Sequence, residues 1–124
     1  MTTSRGLRET HAERTRQNRQ WGEQNHHNGT GPNTTTVGAL FAKDEADRAR
    51  RACQIAAEQG ALTWAHILNE EFREAMAEAD PTRLRVELLQ VAAVAVAWAE
   101  AIDRRTKKTW MARLRRGRCN HRSH

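Results

Sequence analysis

The sequence predicts an all-α protein, a small helical bundle between two polar, charged ends. Between residues 44 and 103, apolar side chains recur at intervals of three and four residues, the spacing of one face of an α-helix. No stretch alternates apolar and polar residues as an exposed strand would. Pro81 follows Asp80, which is typical of a helix start, because the N–H that proline lacks would have no partner there.

The chain of 124 residues has the length of one domain, but its mean hydropathy of −0.88 is too polar for all of it to fold. Its two cysteines, Cys53 and Cys119, cannot form a disulfide framework. No apolar run approaches the ~20 residues of a membrane span, and the N-terminus has no apolar stretch typical of a secretory signal. We therefore expect a cytoplasmic protein that makes no contact with a membrane.

The net charge of +6 is unevenly distributed along the chain. Residues 1–43 contain six basic and three acidic residues, residues 44–103 contain six and twelve, and residues 104–124 contain nine and none. The acidic middle is also the apolar part. We therefore expect a disordered polar region at 1–41, a helical domain at 42–105 and a basic tail at 106–124, in which residues 109–116 can form a short helix.

Three helices are predicted within the domain. They run from about 44 to 59, from about 64 to 79, and from 81 to at least 103, and Gly60 is expected to end the first. Each begins after a side chain that can accept a hydrogen bond from the free N–H groups of the first turn. These N-cap residues are Asp44, Thr63 and Asp80.

Several carboxylates fall on the apolar faces of the second and third predicted helices. At ~100° per residue, Glu71 lies inside the apolar face, Glu74 at its edge and Glu70 outside it. Glu87 lies inside the apolar face of the third helix. An ionised carboxylate buried alone costs several kcal/mol, so a fold keeps it only when it is paired or bound to a metal. A hard divalent cation such as Mg²⁺ would satisfy several facing carboxylates.

A different interpretation stays open for each of these residues taken alone. A glutamate at the end of an apolar stripe usually extends to solvent or pairs with an arginine. Three glutamates on facing helices favour a cation, because they cannot neutralise one another at neutral pH.

The acidic residues also form a pattern. Glu70, Glu71 and Glu74 make a Glu-Glu-x-x-Glu motif, and after twelve intervening residues Glu87 and Gln90 make Glu-x-x-Gln. Residues 63–105 thereby resemble the MazG-like, all-α nucleoside triphosphate pyrophosphohydrolases, whose signature is Glu-Glu-x-x-Glu followed on the next helix by Glu-x-x-Asp. The chain departs from that signature at Gln90, where the family has aspartate.

The resemblance implies a Mg²⁺-dependent enzyme that converts a nucleoside triphosphate to a monophosphate and pyrophosphate, with Mn²⁺ as a possible substitute. The metal ligands would be Glu71, Glu74 and Glu87. Glu70 and Glu71 would be the catalytic carboxylates, with Glu70 orienting water. Gln90 would be a weak ligand, because an amide oxygen carries no negative charge.

Three further residues follow from the same comparison. Trp64 and Trp98 are candidates for contacting the nucleotide base, with a place in the core as the alternative. Glu78, one turn after Glu74, either compensates for the charge missing at Gln90 or takes no part.

The remaining predictions concern association and the tail. Residues 91–99 are apolar on every side of their helix, so their burial requires a homodimer or homotetramer. The basic tail can bind nucleic acid or remain solvated. The competing functional prediction is therefore a non-catalytic MazG-like interaction module whose tail contacts nucleic acid. Cys119, His121 and His124 lack the second ligand pair that a structural zinc site usually has.

Overall fold

The computed structural model describes residues 4–35 and 40–122, and these form four helices without strands. The helices are α1 (Arg5–Trp21), α2 (Ala42–Glu58), α3 (Trp64–Met76) and α4 (Pro81–Arg122). α3 packs against α2 and α4, and α1 packs against α4. The all-α prediction is confirmed for this part of the chain. No helix in the described ranges has an apolar segment of the length that crossing a membrane requires.

The start of α2 differs from the prediction, whereas its end agrees. The helix begins at Ala42 after Phe41, which makes no capping hydrogen bond, and Asp44 lies in the first turn. A carboxylate there still interacts favourably with the positive end of the helix dipole. At the other end Gly60 adopts a φ of +67°, and its N–H donates to the Ala57 carbonyl at 3.1 Å. This left-handed conformation is one that glycine adopts without steric cost.

The starts of α3 and α4 are as predicted. The Thr63 hydroxyl accepts a hydrogen bond from the N–H of His66, and His66 Nδ1 accepts one from the N–H of Thr63 at 3.1 Å. Asp80 Oδ2 accepts a hydrogen bond from the N–H of Arg83 at 2.9 Å. Because both helices start at defined residues, the angular positions of their acidic side chains are defined as well.

The core of the described residues consists almost entirely of small side chains. None of these residues has a large side chain that is fully buried. Small residues allow the helices to approach closely, but they remove little apolar surface from water. The buried apolar residues are Ala42, Ala46, Ala49, Cys53, Ala56, Ala75, Leu84 and Ala101.

The N-terminal region differs from the disorder expected at 1–41. Residues 5–21 form α1, and Gly6 is its buried residue. A Cβ added at Gly6 would lie 3.1 Å from Cγ1 of Val96 on α4, so the two helices approach closely there. Because the buried residue of α1 is a glycine, α1 has no apolar stripe facing α4. The apolar periodicity of its sequence therefore did not indicate a packed helix. Residues 1–3 and 36–39 lie outside the described residues.

Part of the loop between α1 and α2 is also held in place. The Thr30 hydroxyl donates to the Glu78 carbonyl at 2.6 Å, and the Gly31 N–H donates to the Met76 carbonyl at 3.0 Å. The Ala42 N–H donates to the Thr34 carbonyl at 2.8 Å. This segment therefore links the end of α3 to the start of α2 by hydrogen bonds that a sequence pattern does not reveal.

The C-terminal part of the chain continues α4 rather than forming a separate short helix. The predicted third helix and the predicted short helix at 109–116 are one helix that ends at Arg122. No proline interrupts the chain after Pro81, and the first later glycine is Gly117. The helix therefore contains no residue that would break it between the domain and the basic tail.

Candidate metal centre

Three glutamate side chains converge between α3 and α4. Glu71 and Glu74 lie on one face of α3, because residues three apart in a helix are neighbours, and Glu87 faces them from α4. One carboxylate oxygen from each residue lies within 4.8 Å of the others, and all three side chains are half-buried. These are the three residues that the family resemblance implies as metal ligands. The arrangement could hold a metal ion.

Two oxygen atoms of this cluster have no partner in the described structure. Glu71 Oε2 and Glu87 Oε2 are buried and accept no hydrogen bond. A buried polar atom without a partner costs about 1–3 kcal/mol, and more when it is charged, so few such atoms persist in native proteins. The two atoms belong to carboxylates on facing helices, each of which has an oxygen within 4.8 Å of the other, and this arrangement fits a cation between them.

The electrostatic environment of the cluster disfavours ionised carboxylates. Burial raises the pKa of Glu71, and the neighbouring charges of Glu74, Glu87 and Glu70 raise it further. Burial also raises the pKa of Glu74, together with Glu70 and Glu87, while Arg50 lowers it in part. A bound cation would favour the ionised forms instead, since ligation requires deprotonated carboxylates.

Arg50 of α2 contributes positive charge to the cluster. Its Nη2 atom lies 3.5 Å from Glu74 Oε1, and its Nη1 atom lies 3.5 Å from Asp47 Oδ1. One guanidinium shared between two carboxylates cannot neutralise the three glutamates. The pattern within the two carboxylate-bearing helices does not reveal this residue, because Arg50 lies on α2 and reaches Glu74 only through the packing of α2 against α3.

An open cavity of about 390 Å³ lies beside the cluster. Its charged lining residues are Lys43, Asp47 and Arg50 of α2 together with Glu74, Glu78 and Glu87. Asp47 pairs with both basic side chains, at 3.0 Å from Lys43 and 3.5 Å from Arg50, and a cation held by the glutamates would add positive charge to the same space. Such a space suits a polyphosphate, whose oxygens can contact a metal and basic groups together.

The other predicted site residues occupy different positions. Glu70 is half-buried next to the cluster, close enough that its charge affects Glu71 and Glu74. Gln90 is exposed, one turn after Glu87. The Glu78 Oε1 atom accepts a hydrogen bond from the N–H of Asp80 at 3.1 Å, so this carboxylate stabilises the turn before α4.

The two tryptophans proposed for base contact, Trp64 and Trp98, are half-buried and do not line the described cavity. Cys53 donates its S–H to the His66 carbonyl at 3.0 Å. Burial, followed by a hydrogen bond with the Glu70 side chain and by its charge, raises the pKa of this thiol to about 11, so it is unreactive at neutral pH. The side chains of Cys119, His121 and His124 lie outside the described residues.

Comparison of the chain with protein-family models, with curated proteins and with solved structures finds no match. The chemistry available to this site is therefore inferred from its own residues. They provide three carboxylates for a cation, a fourth carboxylate beside them, and two basic side chains that line the adjoining cavity.

Proposed function

We propose that this protein is a Mg²⁺-dependent nucleoside triphosphate pyrophosphohydrolase of MazG-like type. The observation that carries the proposal is the convergence of Glu71, Glu74 and Glu87, two of which have a buried oxygen without a partner. The resemblance of residues 63–105 to that family supplies the reaction. In this reaction a nucleoside triphosphate is hydrolysed to the monophosphate and pyrophosphate.

The donor set favours a hard cation. Glu71, Glu74 and Glu87 offer only oxygen ligands, which suit Mg²⁺ or Mn²⁺ rather than a softer metal. The amide oxygen of Gln90 is a weak additional ligand from the next turn of α4. When bound, the metal supplies neutralisation of phosphate charge and a more acidic water molecule.

The protein side chains have separate roles in this reaction. Lys43 and Arg50, which line the same cavity as Glu74 and Glu87, bind phosphate oxygens. Glu70 accepts the proton of the attacking water. The water oxygen forms a bond to the α-phosphorus as the bond between that phosphorus and the oxygen bridging to the β-phosphate breaks. Pyrophosphate then leaves with that bridging oxygen, and the nucleoside monophosphate remains.

Self-association completes the proposed enzyme. The chain exposes 10008 Å² of accessible surface, whereas a compact monomer of its mass exposes about 6,800 Å². Part of this extra accessible surface lies on one face of α4, where exposed apolar residues recur at intervals of four and three. This seam consists of Leu88, Ala92, Ala95, Ala99 and Ile102. Such spacing is typical of a helix that packs along a second helix, and we propose a second copy as the partner.

The direct test is pyrophosphate release from a panel of ribo- and deoxyribonucleoside triphosphates with Mg²⁺, with Mn²⁺ and with EDTA. We expect release that requires the metal and that falls about 100-fold or more in Glu71→Gln, the usual effect of losing a group that stabilises transition-state charge. Glu58→Gln is the matched control, because Glu58 is exposed on α2 away from the cluster. It is expected to retain wild-type activity.

Circular dichroism of both variants verifies that they are folded. Absence of release from every nucleotide by folded wild-type protein would contradict the proposal. It would instead favour a non-catalytic interaction module in which Gln90 replaces a residue needed for catalysis.

A further inference from the structure

The C-terminal part of α4 is a basic helix that extends beyond the packed core. Residues 104–117, here called the basic extension, are all exposed except for the half-buried Ala112. They include seven lysine or arginine residues and no acidic residue. Arg5 of α1 lies beside its first turns, where it pairs with Glu9 at 2.9 Å. The proposed hydrolase chemistry uses none of these residues.

The charges of the basic extension are not neutralised within the chain. None of its seven basic side chains forms an ion pair with an acidic side chain of the described residues. Several lie three or four positions apart, such as Arg104 with Lys108 and Arg113 with Arg116, and like charges at these spacings destabilise a helix. A polyanion bound along the helix would remove this repulsion.

The distribution of charge around the helix distinguishes between kinds of polyanion. At ~100° per residue, the basic side chains extend over about 240° of the helix circumference. The exposed apolar residues Trp110, Met111 and Leu114 cover an arc of about 100° and only five positions, and Lys107 lies within that arc. A helix that lies on a membrane needs a continuous apolar face along several turns. A partner with negative charge on both sides of the helix fits this pattern better.

We propose that the basic extension binds double-stranded DNA in the major groove, with its lysines and arginines on the phosphates of both strands. The groove is about 12 Å wide and admits an α-helix, which is about 10–12 Å across. Fourteen residues at ~1.5 Å each extend over about six base pairs. Trp110, Met111 and Leu114 face the base edges, where the methyl group of thymine is an apolar partner.

Fluorescence anisotropy of a labelled 30-base-pair DNA duplex tests this proposal with the full-length protein, in EDTA and without nucleotide. The test variant combines Arg113→Gln, Arg115→Gln and Arg116→Gln, because glutamine keeps the helical propensity. The matched control combines Arg48→Gln, Arg51→Gln and Arg83→Gln, which removes the same charge from exposed positions elsewhere. We expect DNA affinity to fall at least tenfold in the test variant and less than twofold in the control.

The salt dependence provides a second measurement. Losing three phosphate contacts is expected to make the slope of log affinity against log salt concentration less negative by about 3. Equal loss of affinity in both triple variants, absence of binding at 50 mM salt, or tighter binding to phosphatidylserine vesicles than to DNA would each overturn the proposal. Glu71→Gln is expected to bind DNA like the wild type, so this proposal and the hydrolase proposal can fail separately.

Discussion

At the scale of single residues, the three clustered carboxylates destabilise the metal-free protein. Burial is the largest cause of the raised pKa of Glu71 and of Glu74, and mutual repulsion adds to it. Arg50 offsets part of that repulsion at Glu74. The cluster is therefore a place where the fold accepts an unfavourable interaction, as sites that bind ions commonly do.

This electrostatic cost predicts an unusual pH dependence of stability in EDTA. A carboxyl group whose pKa is raised by folding binds its proton more tightly in the folded state, so stability increases as pH falls from 7.5 through the raised pKa values towards the ordinary value of 4.5. At pH 7.5 we expect Glu71→Gln to raise the thermal midpoint by about 2–4 °C, on the order of half a kcal/mol in a domain of this size. Differential scanning fluorimetry across this pH range measures both effects.

In excess Mg²⁺ the contribution of the cluster to stability is expected to change with pH in the opposite direction. Ligation requires ionised carboxylates, so the stabilisation of the wild type by Mg²⁺ is expected to increase with pH and to be lost in Glu71→Gln. Glu58→Gln removes one exposed carboxylate but keeps all histidines and the glutamate cluster, so it is expected to behave like the wild type. If Glu71→Gln lowers the metal-free midpoint instead, the glutamate cluster is not repulsive.

At the scale of helices, α1 packs on α4 with its closest approach at Gly6. Its residues are polar on all sides, and an isolated helix of 17 residues is marginally stable in water. The contact of Gly6 with Val96 and Glu100 holds it against α4, where a Cβ at Gly6 would lie 3.1 Å from Val96 and 3.4 Å from Glu100. The stability of α1 therefore comes from docking rather than from its own sequence.

Replacing Gly6 with leucine tests this dependence. The larger side chain has no space between the two helices, so we expect α1 to separate from α4 and its amide protons to exchange at least tenfold faster in hydrogen–deuterium exchange. Gly117→Leu is the matched control, because a Cβ there meets no atom within 4 Å and leucine favours the helix. Unchanged protection of residues 5–21 in Gly6→Leu would show that other contacts hold α1.

At the scale of the whole molecule, the single chain buries too little apolar surface for its length. Its core is made of small residues, while large apolar side chains of α4 such as Leu88, Leu89 and Ile102 stay exposed, at 46%, 55% and 47% of their surfaces. Small cores give little hydrophobic stabilisation. Association along the apolar seam of α4 would supply what the monomer lacks.

Ala92→Arg places a charge in that seam and tests the association. We expect wild-type protein to sediment with twice its chain mass of 14.2 kDa and Ala92→Arg to sediment as a monomer with a lower thermal midpoint. Ala65→Arg is the matched control, because Ala65 is an exposed alanine on α3 outside the seam. A monomeric wild type at 100 μM, measured by analytical ultracentrifugation, would contradict this prediction.

Much of the fold and of the candidate site was predictable because it depends on local geometry. The caps at Thr63 and Asp80 define where two helices start, and helical spacing then places Glu71, Glu74 and Glu87 on facing sides. Neither inference needs knowledge of how distant parts of the chain pack. For the same reason, the all-α class followed from periodicity alone.

Other features depended on which surfaces meet, and the tertiary structure alone decided them. Gly6 gives no apolar signal, yet it docks α1 on α4. Arg50 pairs with Glu74 across two helices, although 24 positions separate the two residues in the chain. Contacts of this kind depend on close approach between elements, and a pattern within one helix carries no information about the surface that its partner presents.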